Sequence, residues 1–253
     1  MFIRSEDLVG KALVELQTKH NIFRKDLFIQ TKFTSIDGQD RSKPLPYDPR
    51  VTLSEQVRQS FATSLVNLQT DYIDSLVLHG PERTHEATME VYRECEKFVD
   101  EGRAKQLGIS NLYDLNRLKR LYDEARHKPA VVQNRFHKET NVDHEIRRFC
   151  REKSIYYQSF WTLTGRSCSA KTMSIASFRL ANPHILTNPL VEQLARDRHG
   201  TPAQIFFRFL LDIGLTPLTG TTSDQHMKED IQALNWHSLD HDAVEKLRKF
   251  IHD

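Results

Sequence analysis

Short apolar runs alternate along this chain with longer amphipathic segments, and a polar residue, glycine or proline marks each junction. The runs "LFIQTKF" (27–33), "DSLVLHG" (74–80), "AKQLGIS" (104–110), "AVVQNRF" (130–136), "IYYQSF" (155–160) and "TPLTGT" (216–221) predict six strands. Between them apolar residues recur at helical spacing. In "SEQVRQSFATSLVNLQ" the side chains of Val57, Phe61, Leu65 and Leu68 fall on one face, with Ser54 placed to cap the start. Further helices are predicted over "SEDLVGKALVEL", "THEATMEVYRECEKFVDEG", "DLNRLKRLYDEAR", "DHEIRRFCREK", one long segment from Leu190 to Asp212, "DQHMKEDIQAL" and "DHDAVEKLRKFIH". Strand and helix in alternation are the pattern of a parallel α/β protein.

Two architectures share that pattern. A doubly wound nucleotide-binding sheet carries a glycine-rich turn after its first strand, whereas the nine glycines here never form G-x-G. A (β/α)8 TIM barrel instead gathers polar groups at the C-terminal ends of many strands. Lys32, His79, Ser110 with Asn111, Gln133 with Asn134, and Thr219 to Thr222 each stand where an apolar run stops. Five termini in phase favour the barrel. Six strands do not close an eight-stranded barrel, and the chain opens on a helix, so two strand units are absent from the N-terminus or strands have gone unrecognised.

Composition narrows the function. With 253 residues, 38% hydrophobic and 28% charged, the chain can form a sizeable core and is expected to be a single domain over 1–253. Its net charge of +2 is spread without a basic block, so no footprint for nucleic acid or an anionic membrane is present. A small-molecule partner is expected, while oligomeric state cannot be read. Cys95, Cys150 and Cys168 are three thiols at wide spacing, which suits a reduced, cytoplasmic protein. There is no long apolar span or basic start with an apolar h-region. "HEATME" lacks the second histidine of a zinc helix and the other histidines are scattered, so no metal site is expected.

Taken together, "SEDLVGKAL", "LFIQTK", "SLVNLQTDYIDSLVLHGP", "GRAKQLGISN", "VVQNRFH" and "GLTPLTGTTSDQHMKEDIQAL" resemble, in order, the motifs of the aldo-keto reductases. The likeness is to a fungal-like member shortened at its N-terminus. It implies an (α/β)8 barrel that uses NADPH, or less often NADH, to reduce aldehydes and ketones to alcohols, with the cofactor extended across the strand ends. A polar, serine-rich block at 166–181 has no counterpart in related sequences; a loop insertion and an imperfect gene model remain alternatives.

By motif, the resemblance assigns the family's catalytic lysine to Lys32 and its histidine to His79. The family's aspartate has no counterpart, and its proton-donating tyrosine falls on Phe2 or Ile3, neither of which can donate. The chain is therefore expected to reduce carbonyls slowly or not at all, with His79, near its ordinary pKa of about 6.5, as the residual weak acid. Ser110, Asn111 and Gln133 match the residues that hydrogen-bond the nicotinamide carboxamide, and Phe160 the ring that stacks on it. Gly220, Thr221 and Thr222 match the loop that takes the 2'-phosphate ahead of a helix N-terminus, with His226, Glu229 and Asp230 around the adenine end. Leu218 and His226 occupy places where the family often has Lys or Arg, which weakens phosphate recognition. A non-catalytic relative that binds cofactor or a partner, or an incomplete gene product, is the competing reading.

Overall fold

The structure, a computed structural model, describes residues 6–136, 138–163 and 185–251. Phe2, Ile3, Cys168 and the block 166–181 lie outside the described residues.

All six expected strands form: β1 (Gln30–Phe33), β2 (Ile73–Leu78), β3 (Ala104–Ser110), β4 (Val131–Arg135), β5 (Tyr156–Phe160) and β6 (Thr216–Pro217). β1 pairs with β2, β2 with β3, and β5 with β6, each in parallel. By backbone contacts the chain divides into two compact units, residues 1–132 and 133–253.

In the first unit, α1 (Glu6–His20), α2 (Leu53–Leu68), α3 (His85–Asp100) and α4 (Leu115–Glu124) alternate with strands. Every residue of β2 is buried, as befits a parallel strand covered on both faces. The rings of Phe61 and Phe98 stack with centroids 4.1 Å apart, tying α2 to α3. Gly10 lets α1 settle on the end of α2: a Cβ there would lie 2.1 Å from the Asn67 carbonyl oxygen. At the start of β2, the buried Asp74 carboxylate takes the Ile29 N–H at 2.9 Å, Arg24 at 2.8 Å and Lys105 at 2.8 Å. That diverts the Ile29 N–H from the sheet, so the strand expected from residue 27 begins at Gln30.

Capping follows local chemistry with one correction. Thr52 rather than Ser54 caps α2, its hydroxyl accepting from the Glu55 N–H, while the Ser54 hydroxyl turns to Glu90 at 3.1 Å. Ser54 already lies inside the first turn, where its own side chain cannot reach the orphan donors. Thr84 and Asp114 cap α3 and α4.

In the second unit, α5 (His144–Glu152), α6 (Pro189–Asp197), α7 (Pro202–Asp212), α8 (Asp224–Asn235) and α9 (His241–Ile251) accompany β5 and β6. The single helix expected over 190–212 is two. Pro202 disfavours helical backbone at the residue before it, His199 turns left-handed with φ 51°, and Thr201 caps α7 through Gln204. Phe206, Phe209 and Leu210 of α7 are fully buried, and Phe206 meets Phe136 edge-on at 6.2 Å. Asp143, buried with φ 55°, accepts from Tyr157 at 2.8 Å and from Asn134 at 2.7 Å, which accounts for Asn134 as a structural group. No helix among the described residues is long and apolar enough to cross a membrane.

Candidate functional site

The first unit brings four expected residues to one end of its strands. Val77 pairs with Lys32 on one side and Gly108 on the other, so β1, β2 and β3 stop nearly level. His79, one residue beyond β2, donates its N–H to the Phe33 carbonyl at 2.8 Å; Ser110 closes β3 and Asn111 follows it. Both ring position and charge of His79 are then set by neighbours. Thr34 Oγ1 lies 2.8 Å from His79 Nδ1. The Thr34 carbonyl in turn accepts from Gln39 at 2.7 Å and from the Tyr47 hydroxyl at 2.8 Å, so the loop after β1 folds back to fix Thr34. Sequence reasoning passed over Thr34, Gln39 and Tyr47. The signal available was a hydroxyl two residues past a strand-end lysine, on the same side of the strand by its two-residue period.

Asn111 is held with φ 52°. Its amide donates to the His79 carbonyl at 2.7 Å and reaches Ser110 Oγ at 3.3 Å, and its oxygen accepts from Tyr113 at 3.2 Å. The bond to the His79 carbonyl joins the ends of β2 and β3, and the one to Ser110 stays within the end of β3. Ser110 is buried beneath it.

Burial, and after it the positive charge of Lys32, lower the His79 pKa to about 4. The expectation of a weak acid near 6.5 is thus corrected: at neutral pH the ring is uncharged. The tautomer in which Thr34 donates to Nδ1 leaves the ring N–H on Nε2, a hydrogen-bond donor that carries no charge. Burial also lowers the pKa of Lys32, and among the described residues no carboxylate pairs with it.

The second unit holds the remaining expected residues on β4, at the end of β5 and in the loop and helix beyond β6. Gln133, buried on β4, donates to Gln158 Oε1 at 2.7 Å. Phe160 ends β5 half-buried, with Trp161 edge-on at 6.1 Å and Arg135 stacked over Trp161 at 4.8 Å. Beyond β6, the loop from Thr219 leads into α8, whose cap is Ser223, accepting from the His226 N–H. Thr221 Oγ1 accepts from the Ser223 N–H at 3.1 Å and lies 3.5 Å from His226 Nδ1. Gly220 and Thr222 are exposed, and a Cβ at Gly220 would meet nothing within 4 Å, so the backbone there is open to close approach. Asp230 accepts from the Thr219 hydroxyl, and the Glu229 carboxylate accepts from Gln225 at 2.7 Å. Hydroxyls and a helix N-terminus beside an open glycine are a donor set that fits an anionic group. The two acids hold their own neutral donors.

A profile of the "Aldo/keto reductase family" matches residues 2–252. "Aldo-keto reductase family 4 member C11" of Arabidopsis thaliana is 25% identical over 256 residues, covering 95% of this chain and 72% of the relative. In fold, the chain resembles the aldose reductase of Schistosoma japonicum with a TM-score of 0.76 at 22% identity, covering 98% of this chain and 76% of that one. It also resembles an aldo-keto reductase of the silkworm Bombyx mori complexed with NADPH, with a TM-score of 0.74 at 20% identity, covering 97% and 70%.

Proposed function

This chain belongs to the aldo/keto reductase family, and we propose that it reduces a small aldehyde or ketone to an alcohol with NADPH, NADH being the alternative donor. The observation that carries the reading is His79, uncharged and fixed by Thr34, set near the cation of Lys32, which no carboxylate among the described residues pairs, at the ends of β1 and β2. Reduction of a carbonyl places negative charge on its oxygen, and the useful groups are donors already aimed there. His79 orients the oxygen through its neutral N–H, and Lys32 stabilises the charge as it develops. The reduced nicotinamide, when bound, supplies the hydride.

For the cofactor, the family motif assigns Ser110, Asn111, Gln133 and Phe160 to the nicotinamide end. The hydroxyl of Ser110 and the amide of Gln133 suit a carboxamide, and Phe160 offers a ring face. Asn111 acts there by holding the His79 carbonyl and Ser110 in place. Gly220, Thr221, Thr222 and His226 are assigned to the phosphate of the adenosine end, with Glu229 and Asp230 at the adenine. The silkworm relative's complex with NADPH supports that choice of cofactor.

The test is a fluorescence titration with NADPH and NADH, followed by aldehyde reduction. Lys32→Met and His79→Gln should each lower kcat/KM by about a hundredfold with cofactor affinity unchanged. A folded wild-type chain that binds neither nucleotide would overturn the reading.

A further inference from the structure

We propose that the Lys32 amine also condenses with the carbonyl carbon of aldehydes, forming a reversible imine at the strand ends and releasing water without hydride or nicotinamide. The inference rests on the reading above only in placing a carbonyl beside Lys32 and His79. Three observations carry it. Lys32 stands near the C-terminal end of β1, and the two-residue period puts it on the same side as Thr34, whose hydroxyl touches the His79 ring at 2.8 Å. The charge of Lys32 also acts on that ring, which places the lysine in the neighbourhood of hydroxyl and imidazole. Two partly exposed lysines of this unit rest on buried carboxylates, Lys105 on Asp74 at 2.8 Å and Lys97 on Glu94 at 2.7 Å, whereas among the described residues no such partner fixes the charge of the half-buried Lys32. Half-burial adds to this by favouring the free amine, the form with the lone pair that attacks a carbonyl.

The step balances without an oxidant or reductant. The amine nitrogen forms a bond to the carbonyl carbon and gives up a proton, and the carbonyl oxygen takes one to become a hydroxyl. The carbon–oxygen bond then breaks, the hydroxyl leaves with a second proton as water, and a carbon–nitrogen double bond remains. Thr34 and the uncharged His79 ring, joined by their hydrogen bond, can pass those protons between nitrogen and oxygen.

The experiment is reductive trapping. The whole chain, free of nicotinamide, is incubated with benzaldehyde and cyanoborohydride near neutral pH, and the labelled lysines are located by peptide mass mapping. Lys32 should be labelled severalfold faster than the exposed Lys11 and Lys19, because burial leaves more of it as the attacking free amine. Lys32→Arg should remove the fast adduct while thermal unfolding stays cooperative. Labelling of Lys32 no faster than Lys11 or Lys19 overturns the proposal, and the wild-type map decides this even where the variant does not fold. The two readings fail separately: absence of nucleotide binding overturns the reductase and leaves the adduct, and absence of the adduct with nucleotide bound overturns only the imine.

Discussion

Acidification from about pH 7 to about pH 4.5 carries the solution across the range in which an ordinary histidine takes up a proton but His79 resists it. In the folded chain His79 titrates at about 4 rather than 6.5, chiefly because it is buried and secondly because Lys32 is charged nearby. Between those values the unfolded chain binds more protons than the folded one, so stability falls as the pH falls. His79 costs nothing above about 6.5 and exacts its full cost below about 4. A shift from 6.5 to about 4 sets a ceiling of about 3 kcal/mol, and water at a half-buried site reduces this to about 1–2 kcal/mol. The assay is urea unfolding of wild type and His79→Gln at both pH values; the variant shares every other titrating group, so the wild type should lose about 1–2 kcal/mol more than the variant. An imidazole NMR titration gives the pKa directly. In Lys32→Met it should rise yet stay below 6.5, since burial is the larger cause. Equal losses in wild type and His79→Gln, or an imidazole titrating between about 6 and 7, would refute the reasoning.

Gly10→Ala must push α1 off the Asn67 carbonyl, which lies 2.1 Å from the new Cβ, and should cost about 1–3 kcal/mol in urea unfolding. Asp74→Ala strips Arg24 and Lys105 of their carboxylate and leaves the mostly buried Arg24 uncompensated, so cooperative unfolding should weaken by about 3 kcal/mol. Burial drives the Cys150 thiol up to about 12 and the Cys95 thiol up as well, so neither should react with iodoacetamide in the native chain, while both should react in denaturant. Thr34→Val removes the hydroxyl from His79 Nδ1 and should lower kcat for carbonyl reduction by about tenfold, with nucleotide affinity unchanged in the fluorescence titration.

Six strands and most of the helices were legible in the chain because each is written in local periods: apolar runs for buried strands, 3.6-residue stripes for helices, and hydroxyls or carboxylates at helix starts. The places of Lys32, His79 and Ser110 at or near strand ends were legible for the same reason, since a polar residue after an apolar run needs no distant partner to be recognised, whereas Gln133 falls in the middle of β4. Where a boundary depended on a distant group, the local pattern erred. The Ile29 N–H turned to the Asp74 carboxylate, 45 residues away in sequence, and the helix expected over 190–212 broke at a left-handed His199 just before Pro202.

The chemistry of His79 belongs to the tertiary structure alone. Its residue type promises a group that titrates near neutrality, but charge state depends on what surrounds the ring. That surrounding comes from Thr34, fixed by Gln39 and Tyr47 of the same loop, and from Lys32 on the neighbouring strand. Sequence thus determined which side chains stand at the strand ends. Folding decided which of them are charged, because burial and the distance to another charge are properties of packed space and not of chain order.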